Sequence, residues 1–221
     1  MSGIEVFIGT NNPGKRADAD RVAQDFEGIR VVGPADFDIV ADPEETGDTY
    51  TANAQLKRDF FIAELRDREV SGTYVIGDDS GIEIDALGGE PGIHSRRWKD
   101  GKTAMSDEEI IEYALMRMKD VAEADRTAHF AGIIALGHTD QNAAMDLPYR
   151  LTGTLLTEPR YGSESLNGYP FRALFYMPEY DMMLSELSDL PIEQRPDGFM
   201  SHRELGLKRA FEMICELEAD D

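Results

Sequence analysis

Apolar positions along the chain fall into short strand-like runs and into stripes of helical period, and these two periods predict the elements. Ile4-Glu-Val-Phe-Ile8 reads as a buried strand leading directly into Gly9-Thr-Asn-Asn-Pro-Gly-Lys15. Over 16–26, Ala19, Val22, Ala23 and Phe26 recur at helical spacing. A second helix is predicted over 49–65, with Asp48 as its cap. Strands over 74–77 and 82–86 are expected to flank a turn. Ser106-Asp-Glu-Glu109 is a capping box opening a helix to about Met118, and Ser201-His-Arg-Glu204 opens a last helix to about Leu217. Further strands are predicted over 127–137, 150–157 and 171–177. Strands and helices mix without strict alternation, which predicts an α/β protein with a mixed sheet. No repeat, low-complexity tract or linker divides the sequence, so 1–221 is expected to be one domain.

Composition narrows the class. The 221 residues suffice for one large domain or two lobes sharing a core, and a hydrophobic content of 41% is that of a globular protein. No apolar run approaches the roughly 18 residues of a membrane helix, and no basic-then-apolar leader opens the chain. A cytoplasmic protein without membrane partners is expected. The single cysteine, Cys215, excludes an intrachain disulfide and sits on an apolar helical stripe. Charge changes the picture most. There are 44 acidic against 22 basic residues, a formal net charge of −22, and the basic residues divide into 6 Lys and 16 Arg. Such an excess argues against general nucleic-acid binding and requires any phosphate site to be locally basic. A Lys-poor, acid-rich chain is also the pattern of a halophilic protein, in which high salt screens self-repulsion.

Three segments bear chemistry. In Thr10-Asn-Asn-Pro-Gly-Lys15, a strand passes through small polar residues into a helix. Free backbone N–H groups, the helix dipole and Lys15 would together cradle phosphate. An ordinary strand-to-helix turn has the same composition. In Gly77-Asp-Asp-Ser-Gly81, two adjacent carboxylates end an apolar strand, where Mg²⁺ is their natural partner. Neighbouring strand residues point to opposite faces, so one of Asp78 and Asp79 can ligate metal while the other positions or deprotonates a water. An Asx-type turn remains open as the alternative. In Pro43-Glu-Glu-Thr-Gly47, Glu44 and Glu45 are further metal-ligand candidates, or a solvated acidic loop.

In order along the chain, these motifs resemble those of the inosine triphosphate pyrophosphatases, the HAM1-like nucleoside triphosphate pyrophosphatases. The resemblance rests on Thr10 to Lys15 and on Glu44-Glu-Thr-Gly-Asp-Thr-Tyr50 with Asn53-Ala54 and Lys57. It extends through Asp78 to Gly89, Pro91-Gly-Ile-His-Ser-Arg-Arg97, Phe175 to Tyr180 and Ser201-His-Arg203. It implies two α/β lobes around a long mixed sheet, with the nucleotide in a cleft between them. It also implies a homodimer, dependence on Mg²⁺ (Mn²⁺ as a substitute), and cleavage between the α- and β-phosphates by an activated water. By position, Thr10, Asn11, Asn12, Gly14 and Lys15 would hold phosphate, and Glu44, with Glu45 beside it, would join Asp79 in handling metal. Asp79 would be the base, with Asp78 and Lys57 also in the catalytic group. Ser80, His202 and Arg203 would contact the nucleotide, and Arg97 would neutralise phosphate charge.

One segment departs from the family pattern. Where the family reads Phe-Gly-Tyr-Asp-Pro, this chain has Tyr169-Pro-Phe-Arg-Ala173. Phe171 keeps an aromatic for stacking on a base, but Arg172 replaces an aspartate and exchanges an acceptor for a donor. The stretch between Pro159 and Tyr169 is about four residues longer than usual. The family's lysine near Ser-His-Arg corresponds to Asp197, or is replaced by Arg195. Donors and acceptors exchanged there should alter base preference while leaving the phosphate chemistry in place. The alternative is a nucleotide-binding homologue that has lost turnover and acts as a sensor.

Overall fold

The computed structural model describes residues 3–142, 144–160, 169–196 and 198–220. Among them, eight strands run β1 (Ile4–Ile8), β2 (Ile29–Val32), β3 (Thr73–Ile84), β4 (Pro91–Gly92), β5 (Thr127–His138), β6 (Met145–Leu155), β7 (Phe175–Met177) and β8 (Met182–Met183). The α-helices are α1 (Pro13–Ala23), α2 (Tyr50–Asp67), α3 (Asp107–Arg117), α4 (Leu184–Asp189) and α5 (His202–Asp220). The strands order as β2-β1-β3-β5-β6-β7-β8, with β4 on β3. The sheet is mixed: β1 pairs in parallel with β2 and β3, whereas β3–β4, β6–β7 and β7–β8 are antiparallel. No helix among the described residues is long and apolar enough to cross a membrane.

The chain forms two compact units. The first comprises Met1–Ser80, Gly132–Tyr149 and His202–Asp221; the second comprises Gly81–Ala131 and Arg150–Ser201. In the first unit, the period-2 alternation of β1 and β3 separates two cores. Val6, Ile8, Tyr74 and Ile76 join Ala19 and Val22 of α1 and Leu207, Ala210, Phe211 and Ile214 of α5. Phe7 and Val75 point the other way and meet Phe61 and Leu65 of α2, with the Phe7 and Phe61 rings 5.2 Å apart. Full burial of a phenylalanine such as Phe61 contributes about 2 kcal/mol. Buried on both faces, these strands read as nearly continuous apolar runs. The second unit has its own core, in which Ile82, Ile84, Ile110, Ala114, Trp98, Phe171 and Phe175 are buried together.

Several boundaries differ from the sequence reading, each for a local reason. The helix expected over 16–26 starts at Pro13, because proline suits the first helical turn and Asn12 caps it, and it ends at Ala23. Thr49, not Asp48, caps α2, its hydroxyl accepting from the Ala52 amide at 3.1 Å. The turn expected between 77 and 82 does not exist: β3 runs unbroken through Asp78-Asp79-Ser80-Gly81. The strand expected over 150–157 begins earlier, at Met145. The one expected over 171–177 is a 3-10 turn, Pro170–Ala173, followed by the short β7. The Ser106–Glu109 capping box is present. The Glu204 carboxylate of the second expected box accepts from Arg21 of α1 at 2.5 Å.

Candidate functional site

The site lies within the first unit and is built on the two aspartates of β3. Alternation along the strand sends their side chains to opposite faces, and each meets a different helix. Both are buried, Asp78 at 6% and Asp79 at 7% exposure, so each needs compensating partners.

Asp78 faces α1 and α5. Its Oδ2 accepts from Lys15 Nζ at 2.8 Å and from Arg203 Nε at 3.1 Å, and its Oδ1 accepts from the Tyr149 hydroxyl at 2.5 Å. Burial works to raise its pKa, but the charges of Lys15 and Arg203 and the bonds from Lys15 and Tyr149 together hold it well below the usual carboxylate range. Arg203 also reaches Asp18 Oδ2 at 3.1 Å, beside the Arg21–Glu204 pair, so two ion pairs fix the first turn of α5 against α1. Asp78 therefore carries a permanent charge that organises cations. As a proton-transfer group it is excluded by its own partners.

Asp79 faces α2. There the i, i+4 stripe Asn53, Lys57, Phe61, Leu65 is polar at its first two positions and apolar at its last two. The apolar half joins the core. In the polar half, Asn53 Nδ2 and Lys57 Nζ each donate to an Asp79 carboxylate oxygen at 3.2 Å. Lys57 Nζ also bonds Glu45 Oε1 at 2.6 Å and the Asp78 carbonyl oxygen at 3.1 Å. Asn53 Oδ1 accepts from the Gly47 amide at 2.8 Å, which ties the acidic loop to the site. Desolvation raises the Asp79 pKa against the pull of Lys57, with the Glu45 charge adding to the rise. Burial pulls Lys57 down, but Asp79 and Glu45 raise it and keep it charged.

Glycine makes this geometry possible at two places. A Cβ on Gly77 would collide with the backbone of α2 at Ala54 and Arg58, so only glycine lets the helix approach β3 closely. A Cβ on Gly132 would collide with the Tyr149 ring and hydroxyl.

The remaining predicted residues take varied positions. Asn12 Oδ1 accepts from the Gly14 amide at 2.8 Å and the Lys15 amide at 3.3 Å, while the Asn12 amide donates to Thr10 Oγ1 at 3.1 Å. The expected cradle of free N–H groups is thus corrected: the loop largely caps itself. Asn11 is exposed in it. What the loop supplies is Lys15, whose ammonium lies 3.3 Å from the same Asp78 carbonyl oxygen that Lys57 reaches. Two ammonium groups therefore converge on one point of β3. Burial lowers the Lys15 pKa, against the opposing charge of Asp78. Glu44 and Glu45 are both exposed, and Glu45 is the one whose carboxylate reaches Lys57. Ser80 follows Asp79 on β3 and is half-buried. The His202 ring sits 6.1 Å from the Tyr149 ring, and burial together with the Arg203 charge lowers its pKa to about 3, so it is neutral.

Arg97, Phe171 and Arg172 belong to the second unit. Arg97 is half-buried in the turns after β4. Phe171 is only 3% exposed and packs 6.2 Å from Trp98, so its ring is committed to the core and is corrected from a stacking residue to a packing one. Arg172 donates through Nη2 to both oxygens of Asp189 at 2.6 and 2.7 Å, an ion pair made by one nitrogen of the guanidinium. Arg195 donates to the Leu190 and Ser188 carbonyls at the end of α4. Asp197, and residues 161–168 of the lengthened stretch, lie outside the described residues.

Sequence reasoning gave no role to Asn53, Asp18 or Tyr149. Asn53 had a signal, being a polar residue four before Lys57 on a stripe that becomes apolar. Asp18 lies on α1 and Tyr149 on β6, both remote in sequence from Asp78, and nothing local marks them.

The donor set suits a magnesium ion. Glu45 and Asp79 address one cation with hard oxygen ligands, and Mg²⁺ is typically held by one or two carboxylates with water and substrate phosphates completing its shell. Among the described residues no group of three or more His, Cys, Asp or Glu forms a self-contained metal cage.

Comparison with known proteins places these features in context. The Ham1 family profile matches residues 6–213. A dITP/XTP pyrophosphatase of Vibrio cholerae is 32% identical over 213 residues, covering 96% of this chain and 97% of its own. One from Staphylococcus aureus is 34% identical over 199 residues, covering 90% of each. Among solved structures, the Staphylococcus aureus Ham1 protein aligns with a TM-score of 0.72 at 31% identity, over 98% of this chain and 100% of that one. A Coxiella burnetii HAM1 protein aligns with a TM-score of 0.74 at 28% identity, over 96% and 99%.

Proposed function

The chain belongs to the Ham1 family, and from that premise we propose that it hydrolyses a nucleoside triphosphate to the monophosphate and pyrophosphate, removing unwanted nucleotides from the pool. It is a hydrolase of phosphoanhydride bonds. The observation that carries the proposal is the setting of Asp79, a buried carboxylate of raised pKa between Lys57 and Asn53, beside the converging ammonium groups of Lys15 and Lys57.

The residues divide the work by charge. Lys15, Lys57 and Arg203 gather three cationic donors around Asp78 and Asp79 in a chain of net charge −22, and these donors would bind the polyphosphate. Ser80, next along β3, offers a hydroxyl to it. Asp79 accepts the proton of the attacking water, and its raised pKa makes it a better base than an ordinary aspartate. Asn53 and Lys57 keep its oxygens oriented. Glu45 and Asp79 would hold Mg²⁺, or Mn²⁺ in its place, which supplies charge neutralisation to the phosphates when bound. Arg172, paired through Nη2 with Asp189, stands where the family pattern has an aspartate, so we infer a purine preference shifted from the usual one, toward a deaminated or otherwise modified base. We further infer a homodimer of a halophilic, cytoplasmic protein, on the resemblance and on the charge.

Pyrophosphate release from a panel of standard, deaminated and modified nucleotides, with Mg²⁺ and with Mn²⁺, tests the reading; no turnover of any triphosphate by folded protein rejects it. Binding without turnover would favour the sensor reading, which the altered Arg172 segment supports. Asp79→Asn is expected to lower kcat by about 10³-fold while sparing nucleotide binding. The base must be deprotonated, so kcat/KM should fall as pH drops through a value above the ordinary aspartate pKa of about 3.9. An acid limb at or below that value contradicts the assignment.

A further inference from the structure

Tyr149 is the most constrained side chain near the phosphate centre that the proposed reaction does not use. Its ring occupies a slot made by two glycines: a Cβ on Gly132 of β5 or on Gly206 of α5 would run into it. Two glycines far apart in sequence are therefore matched to one phenol. At the end of that slot the hydroxyl donates to Asp78 Oδ1 at 2.5 Å. The other Asp78 oxygen holds Lys15 and Arg203 at 2.8 and 3.1 Å.

We infer that Tyr149 is a positioning residue for the polyphosphate site, its phenol fixing the Asp78 carboxylate that holds Lys15 and Arg203. The inference rests on the proposed pyrophosphatase reading, since it assigns those groups to phosphate. Its physical basis is that a carboxylate can rotate about its own axis. Two cations on one oxygen leave that rotation unopposed, and a hydroxyl fixed on the other oxygen stops it. With the rotation stopped, the two cations keep a defined separation before any ligand arrives, which is the condition for preorganised charge stabilisation. Burial and the neighbouring Asp78 charge push the Tyr149 phenol well above its ordinary pKa, so it stays a donor across the working range. The ring lies in a buried apolar cluster and serves packing; the oxygen alone serves positioning.

Tyr149→Phe separates these roles, because it keeps the ring in its slot and deletes only the oxygen. Inorganic pyrophosphate is the probe, since it has no base, and calorimetry gives its affinity for the intact protein. The expected result is about a tenfold weaker affinity, the scale of one hydrogen bond to a charged group. An affinity within about twofold of the parent, in a variant whose melting temperature alone has fallen, assigns the hydroxyl to packing and overturns the inference. A parent protein that hydrolyses triphosphates beside an unaffected Phe variant leaves the pyrophosphatase reading standing and removes only Tyr149. A parent that neither hydrolyses triphosphates nor binds pyrophosphate removes both. If the Phe variant does not fold, 3-fluorotyrosine at position 149 replaces it. Its fluorine resonance is expected to move on addition of pyrophosphate, and a stationary resonance overturns the inference.

Discussion

Asp78 and Asp79 are neighbours of the same type, equally buried, and the surroundings push their pKa values apart. The Asp78 carboxylate is held low by Lys15, Arg203 and Tyr149, while Asp79 is raised by desolvation and by Glu45. A depressed folded-state pKa means the folded chain favours the charged form. Its stabilising effect is present above the unfolded value near 3.9 and is lost as pH falls through the folded one. A raised pKa has the opposite sign: folding disfavours the charge at neutral pH. The same substitution should therefore cost different amounts at the two positions. Asp78→Asn strands two buried cations and is expected to cost about 3 kcal/mol at neutral pH. Asp79→Asn takes one carboxylate from Lys57 but leaves it Glu45 and relieves a desolvated charge, so it should cost less, although it removes the proposed base. Denaturant unfolding of the two variants at constant salt checks this, and equal losses would contradict the division of roles. That division was legible in part. Strand alternation alone says that the two side chains part company, but which one meets two cations depends on α5, more than a hundred residues away.

At the scale of elements, the site exists because β3 and α2 come unusually close. Gly77 has no Cβ where one would strike the Ala54 and Arg58 backbone, and this brings the polar half of the α2 stripe, Asn53 and Lys57, onto Asp79. Gly77→Ala is expected to force the helix away, costing about 2 kcal/mol through overpacking. It should also lower turnover by at least about tenfold, because Lys57 and Asn53 retreat together. Unfolding and pyrophosphate-release assays on that variant report both effects, and a stable, fully active Ala variant would show that the close approach is dispensable. The same glycine explains the largest misreading of the sequence. Gly77, Gly81 and the intervening Asp-Asp-Ser are turn-formers in isolation, so local propensity predicts a turn. Partners on both faces of β3 override it. The α3 capping box and the apolar stripe of α5 were readable because their determinants are local. The start of β6 was missed although Met145-Asp-Leu-Pro-Tyr149 alternates apolar and polar, because Pro148 within the run argues locally against a strand.

The net charge of −22 belongs to the whole molecule and acts against every local arrangement described above. Like charges on a folded chain repel more than on an expanded one, so the excess destabilises the compact state unless salt screens it. The Debye length falls from about 10 Å at 0.1 M to about 3 Å at 1 M, short enough to suppress repulsion between surface carboxylates several residues apart. The buried pairs at Asp78 and Asp79 are screened far less, and the exposed ion pairs lost to salt are individually worth at most about 1 kcal/mol. The balance therefore favours the folded state as salt increases. The unfolding midpoint is expected to rise by at least about 5 °C between 0.1 M and 2 M KCl, on the order of 2 kcal/mol for a chain of this size. Sucrose, which stabilises by exclusion and screens nothing, should give a smaller rise. The same screening acts on an approaching triphosphate, which is repelled at long range by the molecule and attracted at short range by Lys15, Lys57 and Arg203. KM should consequently fall as KCl is first added, the reverse of the trend at a basic phosphate-binding surface. A midpoint and a KM both indifferent to KCl would mean that the acidic surface is not matched to high salt, and the proposed halophilic character would have to be abandoned.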